Sequence, residues 1–208
     1  MPRVDTQEFY QEAIDQHGTT AEGVHWNSRH TQECRFEALR ALLPEDISRL
    51  TLVDVGCGFG DLHRYLARDN DLPGRYIGLD TLQSMVTVAR ERTGEDIRLL
   101  DALTDPLPAA DYYLCSGAMN TLTKYETFCF IERCFAASEQ GFVFNLLRGT
   151  DDSEIFNCRH PDEIRQWAEQ LGAEVSFREG YLYGDFSVAM MPAIISRSNA
   201  HGPSHSEE

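Results

Sequence analysis

The chain has 208 residues, of which 42% are hydrophobic and 10% aromatic, so its composition is that of an ordinary globular domain and excludes a disordered chain. Its formal net charge of −16 counts against a basic face that grips phosphates, and we expect no nucleic-acid partner. No apolar run is long enough to cross a membrane and the acidic N-terminus lacks the apolar core of a secretory signal, so we expect no membrane partner and a cytoplasmic location.

The six cysteines are scattered along the chain. They form no CxxC pair and no grouping with histidine at the spacing of metal ligands. Without a secretory signal they are predicted to be reduced thiols, several of them packed as small hydrophobic side chains. We therefore expect no metal site.

Three regions follow one another along the chain. Residues 1–50 are predicted to be helical, and residues 51–195 alternate strands with helices. Residues 196–208 are polar and aperiodic, which predicts a disordered tail.

The middle region has the pattern of an α/β fold. Strands are predicted at 51–55, 75–79, 97–100, 111–115, 141–147, 174–177 and 186–191, and helices at 61–67, 83–92, 126–137 and 161–171. The last two strands are compatible with a long hairpin. The alternation implies a mainly parallel sheet covered on both faces, with ligands bound outside the carboxyl ends of its strands.

A glycine-rich turn after the first strand is the most specific signal. The stretch 53–61 reads VDVGCGFGD, with Asp54 inside the strand and three glycines that let the backbone approach a ligand closely. It does not match the GxGxxG pattern of nicotinamide-binding proteins, because Asp61 stands where that pattern requires glycine. Asp61 would also repel a pyrophosphate, so a ligand with a cationic amino acid end fits this turn better.

Two further acids stand at the ends of the next strands. Asp80 ends the second strand, where a carboxylate can accept both hydroxyls of an adenosine ribose, and Asp101 with Ala102 ends the third, near an adenine edge. Each acid taken alone is also compatible with a turn or a helix cap. Their position at successive strand ends favours a shared binding site.

In these motifs the sequence resembles the class I S-adenosylmethionine (SAM)-dependent methyltransferase superfamily, in its small-molecule type. The resemblance rests on VDVGCGFGD, then YIGLD, LLDA and DYYLCSGAMN. It implies a Rossmann-like seven-stranded sheet whose last strand is antiparallel, SAM as cofactor, and no metal. The cofactor-binding residues that it implies are Asp54, Gly56, Cys57, Gly58, Gly60, Asp80, Thr81, Asp101, Ala102 and Ser116.

One departure from the wider superfamily concerns the acceptor. After the fourth strand the chain reads Ser116-Gly117-Ala118-Met119-Asn120, without the two prolines and aromatic residue that methylases of nucleobase amines usually carry. A small-molecule acceptor is therefore expected. The acidic charge disfavours RNA and leaves a protein acceptor open.

The N-terminal helices resemble the lid that covers the cofactor in small-molecule enzymes of this superfamily. We hypothesise that Arg35 pairs with the methionine carboxylate, because a guanidinium matches a carboxylate, and that Trp26 walls the substrate pocket. The alternatives are that Arg35 forms a surface salt bridge with a nearby acid and that Trp26 packs the helices.

The expected chemistry is an in-line displacement on an activated sulfonium, which positioning and exclusion of water can accelerate. A general base is needed only if the acceptor must lose a proton. We assign no catalytic residue; the candidates for a base are His25, His30, Tyr10 and Tyr125.

Three more residues are candidates for the substrate side, or for polar groups satisfied in the core: Asn145, Tyr181 and Tyr183. Two other functions stay open, a non-catalytic module that binds SAM or S-adenosylhomocysteine (SAH), and a nicotinamide-dependent oxidoreductase. Asp61 counts against the second.

Overall fold

The computed structural model describes residues 6–20, 22–24, 28–149 and 156–193. The predicted tail at 196–208, and His25 and Trp26 of the predicted lid, lie outside the described residues. The helices are α1 (Thr6–His17), α2 (Arg29–Arg40), α3 (Asp61–Arg68), α4 (Gln83–Thr93), α5 (Lys124–Ala137) and α6 (Pro161–Gln170), with short 3-10 helices at Glu22–Val24 and Ala118–Thr121. The strands are β1 (Thr51–Val55), β2 (Arg75–Asp80), β3 (Asp96–Leu99), β4 (Ala110–Cys115), β5 (Ser138–Arg148), β6 (Cys158–Arg159), β7 (Ala173–Glu179) and β8 (Asp185–Pro192).

One sheet joins all of these strands. Its order is β3-β2-β1-β4-β5-β8-β7, and β6 pairs with the end of β5. β8 runs antiparallel to both of its neighbours, while the other pairs are parallel. The predicted fold class is therefore confirmed, including the antiparallel last strand and the closing hairpin. The short strand β6 is an addition, because two residues carry no alternation that a sequence can reveal.

Helices cover both faces of the sheet. Successive side chains of a strand point to opposite faces, so Leu52 and Val53 of β1, both fully buried, belong to different apolar clusters. Leu52 packs in the cluster that contains Phe36 of α2 and Leu62 of α3, and Val53 packs in the cluster that contains Ile131 of α5. The near-continuous apolar strands are those expected of a parallel sheet buried on two sides.

Local sequence explains where two helices begin. The Thr123 hydroxyl caps α5 by accepting a hydrogen bond from the Glu126 backbone N–H, and the Glu126 carboxylate accepts one from the Thr123 backbone N–H. The helix therefore begins two residues before the predicted position 126. Pro161 is the first residue of α6, as predicted, because its missing N–H is no loss there.

The helices before β1 are described in part. Ser28 caps α2 by accepting a hydrogen bond from the Thr31 backbone N–H, and α2 lies on the sheet beside β5 and β8. Helix α1 lies against the 3-10 helix Glu22–Val24, and its Phe9 ring meets the Phe156 ring edge to face at 6.3 Å between centroids. Among the described helices, none is long and apolar enough to cross a membrane.

Candidate active site

A cavity of about 610 Å³ lies where β1, β2 and β4 end, at the carboxyl edge of the sheet. Its volume falls in the range of small-molecule sites, about 300–1,000 Å³. Nine of the ten core residues implied by the resemblance line it: Asp54, Gly56, Cys57, Gly58, Asp80, Thr81, Asp101, Ala102 and Ser116. Residues from four separate loops thus meet at one opening.

The glycine turn forms the floor of this cavity. Gly56 has φ +75°, and a Cβ there would stand 2.3 Å from the Cβ of Ala118, so no other residue fits without movement. Gly58, with φ +53°, lines the cavity and donates its backbone N–H to the Oδ2 atom of Asp80 at 2.9 Å. The turn is therefore tied directly to the neighbouring strand end.

The Asp80 carboxylate is buried and doubly held. Its Oδ1 atom accepts the Leu82 N–H at 2.9 Å, beside the Oδ2 bond from Gly58. Burial raises the pKa of Asp80, while the backbone N–H bonds act in the opposite sense. Each oxygen keeps a second lone pair for a ligand hydroxyl.

Asp54 is a second buried acid, at the end of β1. It accepts a 2.5 Å hydrogen bond from the Tyr76 hydroxyl, and burial raises the pKa of Asp54 to about 7. The Cys57 thiol beside it is also buried, and burial with the charges of Asp80 and Asp54 raises the pKa of Cys57 well above its usual value. Cys57 therefore remains a neutral thiol in the turn.

Asp101 both holds a turn and lines the cavity. Its Oδ1 atom accepts the Leu103 N–H at 2.9 Å, which caps the turn after β3, and the residue also lines the cavity. Asp80 likewise lines the cavity while accepting the N–H of Leu82, the residue before α4. Cap and ligand contact are thus compatible at one carboxylate.

Asn145, buried in the core, hydrogen-bonds the turn after β4. Its Oδ1 atom accepts the Gly117 N–H at 3.0 Å, and its Nδ2 atom donates to the Ser116 hydroxyl at 3.2 Å. Asn145 is fully buried and does not line the cavity. The sequence left two roles open for Asn145, a contact on the substrate side or a polar group satisfied in the core. The structure supports the second role.

Arg35 and Gly60 do not line the cavity. Arg35 instead forms a buried ion pair in which its Nε and Nη2 atoms donate to the two oxygens of Asp185 at 3.0 and 2.6 Å. The structure thus shows the alternative left open for Arg35, a salt bridge with an acid, although buried rather than at the surface. This pair occupies the face of the guanidinium that would grip a ligand, so the structure gives no support to its assignment to the methionine carboxylate. Gly60 is the residue before α3, and a Cβ there would press on Thr93 at 2.6 Å.

Of the candidates for a general base, Tyr10 alone is brought to the cavity within the described residues. Burial and the charge of Asp80 raise the pKa of Tyr10, which opposes loss of its proton. Tyr125 is 76% exposed and His30 is exposed, both away from the cavity. His25 lies outside the described residues.

The two tyrosines near the last strand also lie away from the cavity. Tyr183 is fully exposed, and Tyr181 shares a 2.9 Å hydrogen bond with Ser187. Neither is placed to contact a ligand there.

Several cavity residues were missed in the sequence. They come from elements far apart in the chain: Gln7, Gln32, Phe36, Asn120, Thr121, Phe130 and Phe156. No periodicity links them, so the sequence carried no signal for them except the place of Asn120 and Thr121 just after the fourth strand.

The charge of the lining is one-sided. Four acids line the cavity, Asp54, Asp61, Asp80 and Asp101, and among the described lining residues there is no lysine, arginine or histidine. Such a site favours cationic ligands over anionic ones. Together with the Asp80 carboxylate beside a glycine turn, this lining fits a positively charged nucleoside.

Comparison with known proteins agrees with this class of site. Residues 52–141 match the family model of a methyltransferase domain. The chain is 42% identical over 62 residues to the ubiquinone biosynthesis O-methyltransferase of Methylobacterium sp. (strain 4-46), which covers 30% of this chain and 24% of that protein. The match thus spans about a quarter of that relative's length.

Solved methyltransferase structures share the fold at low identity. The DhpI–SAM–HEP complex superposes with a TM-score of 0.70 at 17% identity, covering 89% of this chain and 95% of that one. The magnesium protoporphyrin IX methyltransferase of Synechocystis PCC 6803 with bound SAM gives 0.64 at 15%, covering 93% and 86%. The putative methyltransferase complexed with the Haloferax volcanii Trm112 activator gives 0.67 at 21%, covering 89% and 96%.

These findings agree with the predicted resemblance: residues 52–141 match the model of a methyltransferase domain, and the chain shares its fold with solved SAM-dependent methyltransferases. SAM is the methyl donor of this class. The acceptor and the roles of individual residues are proposals.

Proposed function

We propose that this protein transfers a methyl group from SAM to a small-molecule acceptor by in-line displacement. The observation that carries the proposal is the buried Asp80 carboxylate, which is held by the N–H groups of Gly58 and Leu82 and faces the cavity beside the glycine turn. A carboxylate fixed in this way is preorganised to accept the two ribose hydroxyls of SAM.

The other lining residues fit the remaining parts of SAM. We assign Gly56–Gly58 to the methionine portion, Ser116 to the neighbourhood of the sulfonium, and Asp101 with Ala102 to the adenine. The positive charges of the sulfonium and the amino group match the acidic lining of the cavity.

Neutral donors take the place first assigned to Arg35. Gln32 of α2 lines the cavity and its Nε2 atom lies 3.4 Å from Asp61, so its amide is within reach of the α3 end of the site. We propose that Gln32 and backbone N–H groups of the glycine turn meet the methionine carboxylate. Residues 1–50 act in this proposal as the lid over the core at 51–195.

SAM supplies an activated methyl group, so the chain contributes mainly by positioning and by excluding water. Phe36, Phe130 and Phe156 give part of the cavity wall an apolar surface suited to the body of an acceptor. No general base is assigned, because burial holds the Tyr10 proton in place. The cytoplasmic location remains a prediction.

Isothermal titration calorimetry with SAM and SAH tests the cofactor site. We expect Asp80→Asn to weaken SAH binding at least about tenfold, since one acceptor oxygen becomes a donor. Asp69→Asn, which changes an acid of 60% side-chain exposure outside the cavity, serves as the matched control with unchanged affinity. Absence of binding to both compounds by the folded wild-type protein would refute the proposal.

Incubation with methyl-labelled SAM and a metabolite extract, followed by mass spectrometry, tests the transfer itself. A labelled small molecule supports the proposal. Tight SAH binding without any labelled product would favour the non-catalytic binding module instead.

A further inference from the structure

Two aromatic side chains of the cavity lining are only partly buried. Among the described residues, three further aromatic side chains line the cavity, but Phe36, Phe59 and Phe130 are at most 6% exposed. Tyr10 of α1 and Phe156, two residues before β6, line the same cavity and keep more accessible surface. Of the aromatic residues described there, these two therefore offer a ligand the largest exposed fraction.

The segment that carries Phe156 is fixed beside the turn after β4. The Asn157 N–H donates to the Asn120 carbonyl at 2.5 Å, and Asn120 belongs to the 3-10 helix that follows this turn. The Asn157 Nδ2 atom also donates to Thr127 of α5 at 2.8 Å. Phe156 is therefore held at the part of the cavity near Ser116, the residue that we assign to the neighbourhood of the sulfonium.

Phe9 of α1 supports both partly buried rings. Its ring centroid lies 5.3 Å from that of Tyr10 and 6.3 Å from that of Phe156, with an interplanar angle of 79° in each pair. Edge-to-face contacts of this kind are favourable between aromatic side chains. Burial, and then the nearby Asp80 and Cys115, raise the pKa of Tyr10, so its hydroxyl lies close to the ends of β2 and β4. Tyr10 and Phe156 thus belong to one aromatic wall.

Flat side chains that are already held in place favour a flat ligand. A planar aromatic ring packed against Tyr10 and Phe156 gains ring–ring contacts in addition to the apolar area that it buries. A saturated ring of the same size gains the buried area alone. Because Phe9 already supports both side chains, little of their conformational freedom is lost when a ligand binds.

We propose that Tyr10 and Phe156 form the acceptor subsite, and that the methyl acceptor is a molecule with a planar aromatic ring. The two side chains determine specificity by packing against that ring, which holds the acceptor next to the Ser116–Gly117 turn. This inference rests on the proposed methyl transfer, because that function makes the cavity hold an acceptor beside the cofactor.

A matched pair of probes tests the inference: a naphthol and the decahydronaphthol with the same carbon skeleton and hydroxyl group. Ligand-observed NMR measures their binding to the protein saturated with SAH, which fills the cofactor part of the cavity. We expect the naphthol to bind about fivefold more tightly or better, the gain from two ring–ring contacts. Buried area alone would give no such preference, because the saturated probe has at least as much apolar surface.

Substitutions assign that preference to the two rings. Tyr10→Leu and Phe156→Leu should each at least halve the ratio of the two affinities, since each removes one ring and keeps an apolar side chain. Tyr10→Phe keeps the ring and should retain the ratio. Phe128→Leu is the matched control: Phe128 pairs edge to face with Trp167 at 5.2 Å, away from the cavity, and its loss should leave the ratio unchanged.

The inference would be overturned by equal or tighter binding of the decahydronaphthol, by mutual exclusion of naphthol and SAH, or by a full preference for naphthol in both leucine variants. A loss in Tyr10→Phe as large as in Tyr10→Leu would also overturn it, because the hydroxyl and not the ring would then act. Failure of the wild-type protein to bind SAH is a different result, which would refute the proposed function itself.

Discussion

The ion pair between Arg35 and Asp185 is predicted to stabilise the fold without contributing to cofactor affinity. It joins α2 to the start of β8 across 150 residues of chain, through two hydrogen bonds of 3.0 and 2.6 Å. The side chains are only 10% and 3% exposed. Replacing Arg35 by Met removes the charge and keeps much of the side-chain volume.

The expected cost follows from what the substitution leaves behind. Removing one partner of a buried ion pair costs about 3–5 kcal/mol, because the other charge stays buried without compensation. In a chain of this size that corresponds to a fall in Tm of roughly 6–20 °C. The double variant Arg35→Met with Asp185→Leu should recover much of the loss, since no buried charge remains.

The pH dependence gives an independent check. Burial raises the pKa of Asp185, and the Arg35 charge partly offsets this, so the Arg35→Met substitution raises the pKa of Asp185 further. A raised pKa in the folded state means that stability is fully present at low pH and is lost as pH rises through that pKa. The deficit of Arg35→Met should therefore be small in acid and grow toward neutral pH.

Thermal unfolding across pH measures these effects, and calorimetry with SAH measures the cofactor site in the same variant. We expect SAH affinity within about twofold of wild type under conditions where the variant is folded. Unchanged stability together with a large loss of SAH affinity would refute this reasoning and restore Arg35 as a ligand of the methionine carboxylate.

Three further predictions concern residues that line the cavity or support it from the core. In the folded protein the pKa of Asp54 is raised to about 7, so Asp54 keeps its proton there while it loses it in the unfolded chain, and stability falls as the pH rises from about 4 to about 7. Asp54→Asn should remove this fall. The same dependence of unfolding on pH in variant and wild type would contradict the prediction. Gly56→Ala should lower the free energy of unfolding by about 1 kcal/mol or more from its left-handed φ alone, with a further cost for the 2.3 Å contact with Ala118, and a denaturant titration showing no loss would disprove it. Asn145→Leu should weaken SAH binding in calorimetry because it frees the turn at Ser116, and full affinity would argue against that support.

Much of the fold was predictable because its determinants are local. Apolar, β-branched runs such as Thr51–Val55 form strands, and glycines with left-handed φ angles mark the turn that follows. Asp80 is the last residue of β2 and Asp101 lies two residues after β3, so a parallel sheet brings both acids to one edge without further information. The start of α5 was predicted two residues late, although Thr123 and Glu126 have the spacing of a capping box that marks it.

The partners of Arg35 and Asn120 were decided by the tertiary structure alone. Arg35 meets Asp185 because the closing hairpin places β8 between β5 and β7, where α2 packs on the sheet. The Asn120 Oδ1 atom has no hydrogen-bond partner because none of the elements packed around it provides a donor. The residues next to Asn120 in the sequence do not reveal this. Strand propensity and turn chemistry act over a few residues, whereas the pairing of buried charges and amides depends on contacts between distant segments, and these exist only once the chain has folded.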